Sequence, residues 1–368
     1  MQRIPHSEMV DVFRRALERH GVAPDRAQAI ALIYTDNTCD GVPSHGLYRM
    51  ADTIADIEGG SIDPAADAEC VASFGSLEQW AGRKGPGVLT ATTAMARAVE
   101  MARQSTMGCV ALRNANHWMR AATYGLQAAA AGCLAMSWSN TIPLMPPHGS
   151  AEKRVGNNPL CIAVPGKEGE TVLLDMALSQ FSGGRTDVLR RTGGSFPVPG
   201  GYDEDGNLTT DPGAVRRSGR PLPIGHWKGS GLALCLDLLA TLLSGGLATC
   251  QIPREGANLG VGCVQIFIAF DLATLGEGDD HEEIMATILD DLTTATPLEG
   301  ERVTYPGQRS AETRRQNLAE GIPVDAELGR GHWPWRVEGI TSPTATLRLM
   351  GPVAPQSSKS RGVSTLTT

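Results

Sequence analysis

Apolar residues recur at helical spacing over residues 7–20, with Met9, Val10, Phe13, Ala16 and Leu17 on one face and Gly21 placed to end the helix. A second helix is predicted from Pro24 or Asp25 to about Thr35, and a third carries Leu47, Met50, Ile54 and Ile57 up to Gly59-Gly60. Near residue 65 the period shortens to that of strands, at residues 70–74 and 78–80, and this switch marks a candidate domain boundary. Helical spacing returns over residues 87–103 through Val88, Ala91, Met95, Ala96 and Val99.

Residues 109–112 and 133–136 are apolar β-type runs on either side of an alanine-rich helix, so each delivers its polar end to the same edge of a sheet. Those ends read Arg113-Asn114-Ala115-Asn116-His117-Trp118-Met119-Arg120 and Ser137-Trp138-Ser139-Asn140, and then come Met145-Pro146-Pro147-His148-Gly149 and Gly156-Asn157-Asn158-Pro159. Polar strand ends are where ligands sit, although Asn, Pro and Gly also serve plain turns. His117 lies outside any turn cluster. Residues 170–179 form a further strand with Asp175 near its end, residues 181–212 a long loop with a turn at 203–207, and residues 232–243 an apolar helix. A buried strand over 261–270 and helices over 279–292 and 310–320 follow; from Ser357 the composition is Ser/Thr/Lys-rich, and disorder is expected there.

A chain of 368 residues with 41% apolar content is long enough for two domains with sizeable cores. The net charge of −8 and the lack of a basic run give no electrostatic footprint for nucleic acid or an anionic membrane. Eight cysteines without a Cys-x-x-Cys pair read as buried, reduced thiols, and residues 1–10 hold no apolar signal core. A soluble cytoplasmic protein is expected.

Pro43 disfavours helix at Val42, and Ser44 suits an N-cap, which places His45 in the first turn of the third helix and Arg49 one turn later on the same face. Such a pair suits a carboxylate beside a carbonyl: Arg49 takes the carboxylate, and protonated His45 gives its proton to the carbonyl oxygen as hydride arrives at carbon. Gly225-His226-Trp227-Lys228-Gly229-Ser230-Gly231 ahead of a helix forms either a pyrophosphate seat or a tight helix–sheet contact. No Gly-x-Gly-x-x-Gly follows a predicted strand, and Walker A, Gly-x-Ser-x-Gly, His-Glu-x-x-His and cysteine zinc patterns are missing. Three classes stay open: an oxidoreductase on a small oxo acid, a metal-assisted lyase using His45, His117 and His148, and a binding domain.

Over residues 5–325 the chain resembles the malate/L-lactate dehydrogenase superfamily that lacks the Rossmann fold. The match rests on Ser44-His45-Gly46 with Arg49, Glu78-Gln79-Trp80, the stretch 113–120, Met145-Pro146-Pro147, Asn158-Pro159-Leu160, Asp175-Met176, Gly201-Tyr202-Asp203 and Trp227-Lys228-Gly229-Ser230-Gly231. His148 and Asn157 depart from the pattern of the subgroup it matches best. The resemblance implies an α/β fold with a largely antiparallel sheet in a central NAD-binding domain (69–280). It further implies a helical domain built from both chain ends (1–68 and 281–335), a tail (336–368) and a homodimer.

It also implies His45 as proton donor, with no metal. The nicotinamide cofactor, NADH rather than NADPH, is expected against Thr171, Val172, Leu173, Leu174, Asp175, Met176 and Ala177, against Trp227 and Lys228, and against Gly307, Gln308 and Arg309. Ser44, Arg49, Asn116 and His117 are expected to hold the substrate, a polyhydroxylated or small 2-oxo acid. Malate, lactate, ureidoglycolate and cyclic imino acids are the alternatives.

Overall fold

The computed structural model describes residues 2–252, 262–276 and 278–324. The tail expected over 336–368 lies outside the described residues, as does the end of the expected 281–335 segment. The chain opens with β1 (Gln2–Ile4), α1 (His6–Arg19) and α2 (Pro24–Cys39). α2 runs one turn past the expected end because Asn37, Thr38 and Cys39 are buried against the rest of the molecule, so packing extends a helix that local periodicity would stop. Two short 3-10 turns, Pro43–His45 and Leu47–Arg49, lead into α3 (Met50–Glu58).

There follow β2 (Glu69–Phe74), β3 (Leu77–Ala81), α4 (Gly87–Ser105), β4 (Met107–Ala115), α5 (Ala122–Ala130), β5 (Cys133–Ser139), β6 (Leu160–Pro165) and β7 (Thr171–Met176). The expected long loop contains α6 (Gly183–Thr192), the hairpin of β8 (Gly201–Tyr202) and β9 (Leu208–Thr209), and α7 (Pro212–Ser218) from its far end. α6 escapes a periodicity reading because Thr186 is its one buried residue. The expected turn at 203–207 closes the hairpin, with the Asp203 carboxylate accepting the backbone N–H groups of Asp205 and Asn207. The remaining elements are α8 (Trp227–Ser244), β10 (Cys263–Asp271), α9 (Gly278–Thr293), α10 (Gln308–Glu320) and β11 (Ile322–Val324).

One seven-stranded sheet has the order β2-β3-β4-β10-β5-β6-β7, with β3 and β4 parallel and the other neighbours antiparallel. β10 runs antiparallel to both β4 and β5, so those two strands point the same way and their polar ends reach one edge, as their spacing predicts. α4 and α5 cover one face of the sheet through Ala94, Met95, Tyr124 and Ala128, while Ala233, Leu236 and Ala240 of α8 join the core on the other. At the chain ends Ile4 pairs with Ile322, and both enter a single helical core with α1, α2 and α3.

All eight cysteines are free; Cys39, Cys109, Cys133, Cys161 and Cys263 are buried as expected, but Cys70, Cys235 and Cys250 are exposed. Cys70 lies on the edge strand β2 and Cys235 on a face of α8 that points away from the sheet, where apolar sequence context does not guarantee cover. No helix among the described residues is long and apolar enough to cross a membrane.

Candidate active site

The segment after α2 folds back onto that helix and positions His45. Thr38 Oγ1 donates to the Tyr34 carbonyl and accepts the Leu47 N–H, while Asn37 Nδ2 donates to the His45 carbonyl. This approach requires glycine at position 46: a Cβ there would lie 2.2 Å from Thr38 Oγ1 and 2.4 Å from the Tyr34 carbonyl oxygen. The expectation of a helix capped by Ser44 is therefore corrected. His45 ends a 3-10 turn, Gly46 interrupts the helical backbone, and Arg49 stands at the N-cap of α3 rather than one turn along a shared helix. Ser44 makes no cap; its Oγ lies 3.1 Å from His45 Nδ1, which ties down that nitrogen and leaves Nε2 for chemistry.

His117 meets His45 from the other side of the chain fold. Their rings stack with centroids 5.7 Å apart and an interplanar angle of 21°. Met119, at φ 62°, turns its N–H onto His117 Nδ1 at 3.0 Å, so the neutral ring carries its proton on Nε2. The turn is held below by Trp118, stacked on Tyr124 and edge-on to Phe267, and by the Tyr124 hydroxyl donating to the Trp118 carbonyl. Burial lowers the His45 pKa to about 4, with the Arg49 and Arg120 cations adding to the effect. Burial also holds His117 well below the ordinary value, helped by Arg49 and His45. Both rings are neutral at neutral pH in the protein alone.

Arg49 lines a cavity of about 10 Å³ together with His117, Tyr34, Thr53 and Asp56, and donates to Asp52 at 3.0 Å. Asn116 Nδ2 donates to the carbonyls of Ser61, Lys84 and Gly85, and only 1% of the residue is exposed, so its amide hydrogens brace these loops, while its Oδ1 is buried without a hydrogen-bond partner. His148 faces His226 rather than the stacked pair, which splits the three histidines of the lyase reading into separate places. The other departure, Asn157, accepts a hydrogen bond from Thr141.

A buried ionic network missed in the sequence connects this corner to the edge strand β7. Arg120 donates to Asp40 and to Ser310, and its Nε lies 3.6 Å from Asp175. Arg314 of α10 donates to Asp40 and Asp36. Arg120 and Asp40 are 6% and 7% exposed, and burial at that depth demands a paired, hydrogen-bonded arrangement. The one available signal was the position of Arg120 at the end of the 113–120 stretch; its partners lie 80 and 55 residues away along the chain.

The three expected cofactor segments assemble around β7. Leu173 N–H donates to the Pro306 carbonyl, and Gly307, at φ 94°, packs so closely that a Cβ would lie 2.8 Å from Leu173 Cβ. Gln308 and Arg309 fall inside the first turn of α10 rather than before it, and the Gln308 Oε1 is buried without a hydrogen-bond partner. Ile224 N–H donates to the Leu178 carbonyl, which brings the start of α8 to the far end of β7. α8 begins at Trp227, five residues earlier than expected, so the glycines form its first turn. The tight-contact reading holds at Gly229, where a Cβ would lie 2.3 Å from the Ile224 carbonyl oxygen; Gly231 has open space around it, and the helix starts without a side-chain cap.

Thr171, Leu173 and Asp175 direct their backbone groups away from β6 by the alternation of the ladder, so Asp175 offers an N–H and a C=O that have no strand partner. Val172, Leu174 and Met176 direct theirs toward β6; Ala177 follows the strand. Burial raises the Asp175 pKa, opposed by Arg120 and by the Ala122 N–H. An open strand edge, an unpartnered buried amide oxygen, and a helix start with Lys228 and the exposed Trp227 fit a dinucleotide.

The chain is similar to known proteins over most of its length. Residues 4–330 match the family model for malate/L-lactate dehydrogenase. A 2,3-diketo-L-gulonate reductase from Citrobacter koseri is 40% identical over 324 residues, covering 88% of this chain and 97% of that protein. The fold is similar to the sulfolactate dehydrogenase from Methanocaldococcus jannaschii, with a TM-score of 0.81 and 27% identity over 89% of this chain and 94% of the other. It is also similar to the malate dehydrogenase from Pyrococcus horikoshii OT3, with a TM-score of 0.79 and 27% identity over 88% and 91%.

Proposed function

Because this chain belongs to the malate/L-lactate dehydrogenase family, and so is an oxidoreductase of hydroxy or oxo acids, we propose that it reduces the 2-oxo group of 2,3-diketo-L-gulonate, giving 3-dehydro-L-gulonate. The observation that carries the reading is the His45–His117 stack, with His117 and Arg49 lining one cavity beside it. NADH is the proposed reductant. When bound, the nicotinamide supplies the hydride.

The chain's own groups supply the rest. Arg49 receives the carboxylate, and His117 Nε2–H donates to an oxygen next to the reacting carbon. His45 delivers a proton from Nε2 to the oxygen on C2, with Ser44 holding the ring by Nδ1. Burial is the main reason that His45 is neutral; a carboxylate on Arg49 offsets only the smaller contribution of that cation, and in that direction substrate binding favours the protonated, donating form. β7, the 307–309 turn and the start of α8 are the proposed cofactor contacts.

A homodimer is the proposed assembly. Leu234, Leu238 and Leu242 form an exposed apolar stripe at helical spacing along α8, and 77% of Leu242 faces solvent in the single chain. A reducing, cytoplasmic setting agrees with eight free cysteines. The test is a 340 nm assay of the purified protein with 2,3-diketo-L-gulonate, pyruvate, oxaloacetate and a cyclic imino acid, each with NADH and with NADPH. Turnover is expected to be fastest with the first substrate and NADH; faster turnover of another would move the protein elsewhere in the family.

A further inference from the structure

The cavity next to His117 has room for about one water-sized group. Its polar lining comes from three elements: Tyr34 on α2, Arg49, Thr53 and Asp56 at and along α3, and His117 after β4. The Tyr34 hydroxyl and Thr53 Oγ1 lie 2.6 Å apart, and Thr53 donates to the Arg49 carbonyl, so Tyr34 donates to Thr53 and its own oxygen stays an acceptor. Arg49 already faces Asp52 at 3.0 Å, and the Asp56 carboxyl is close enough to Arg49 and Tyr34 to interact with both. His45 and His117 are neutral, which leaves Arg49 as the one cation and Asp56 as the one carboxyl group among the lining residues.

That charge balance has a chemical consequence. Once Arg49 has taken the carboxylate next to the 2-oxo group, no further cation faces this cavity from its lining residues. A second carboxylate there would be desolvated beside Asp56, whereas a hydroxyl can donate to the Asp56 carboxyl.

We propose that Asp56 makes the floor of this pocket a seat for an uncharged hydroxyl and rejects a second carboxylate, so the enzyme selects monocarboxylic, hydroxylated 2-oxo acids over dicarboxylic ones. Asp56 thereby sets specificity among substrates of the reaction proposed above, and the inference rests on that reading. Burial pushes the Asp56 pKa up to about 6, which still leaves it anionic at neutral pH.

Two substrates that differ only at the far end, 4-hydroxy-2-oxobutyrate and oxaloacetate, test the idea through kcat/KM with NADH in the wild type, Asp56→Asn, Asp56→Ser and Asp56→Glu. The wild type is expected to favour the hydroxylated acid. Asp56→Asn and Asp56→Ser shift the ratio toward oxaloacetate by roughly tenfold, mainly through KM, as expected for removing one charge from a partly desolvated site. Asp56→Glu keeps the wild-type preference. An unchanged ratio in both neutral variants with turnover intact, or a wild type that prefers oxaloacetate, overturns the filter alone. Absence of turnover with any 2-oxo acid and either reduced cofactor overturns the parent reading as well.

Discussion

Arg120 Nε lies 3.6 Å from an Asp175 carboxylate oxygen while the same guanidinium donates to Asp40. One side chain thus ties the end of α2, which leads to His45, to the strand proposed to carry the cofactor. Replacing it with leucine leaves Asp175 without a cation and Asp40 with Arg314 alone. Arg120→Leu is expected to lose about 3–5 kcal/mol of stability, read from urea unfolding, because breaking a buried ion pair by removing one partner is costly. A loss under about 1 kcal/mol would show that the network is solvated.

His45→Ala is expected to lower kcat by roughly 10²- to 10⁴-fold, the usual range for removing a general acid, with NADH affinity by fluorescence titration unchanged. Turnover that survives intact would take His45 out of the mechanism.

Acid sensitivity carries a sign that can be checked. His45 binds its proton in the unfolded chain near pH 6.5 but in the folded protein only near pH 4, so the unfolded state holds more protons between those values. Stability from this group is therefore present above pH 6.5 and lost as pH falls toward 4. Asp56 works in the opposite direction over about pH 4 to 6, because its folded pKa is raised. The fall in melting temperature between pH 7 and pH 4.5 should be shallower in His45→Gln and steeper in Asp56→Asn than in the wild type.

Gly46→Ala adds a methyl group where Thr38 Oγ1 and the Tyr34 carbonyl already stand. The expected effect is about 1–3 kcal/mol of overpacking strain together with a fall in kcat, since the turn bearing His45 must lift off α2. Wild-type kcat in a folded variant would contradict this account of how His45 is placed.

Leu238→Glu, in the middle of the exposed α8 stripe, should convert a dimer to monomer on size-exclusion chromatography with light scattering. A wild type that elutes as a monomer would remove the dimer proposal.

His45, Arg49, His117 and the strand with Asp175 could be read from the chain because each combines a reactive residue type with a local signal: a proline before a helix start, a strand end, a glycine turn. The apolar periods located most helices and the strands β4, β5, β7 and β10 for the same reason, since burial of one face leaves its mark within a few residues. Where the local signal failed, it was replaced by contact at a distance. α6 has almost no buried face, and Asn116 looked free until the carbonyls of Ser61, Lys84 and Gly85 were found around it.

By itself, then, the order of residues located most of the helices and strands and pointed to the side chains proposed to reduce an oxo acid. Tertiary structure alone decided that His45 stacks on His117, that Arg120 is buried between Asp40 and Asp175, and that Asp56 shares a cavity with Arg49. The physical reason is range: backbone preferences and amphipathic spacing act within a turn or two. Desolvation and charge pairing depend on groups that meet only after strands and helices from both ends of the chain have packed.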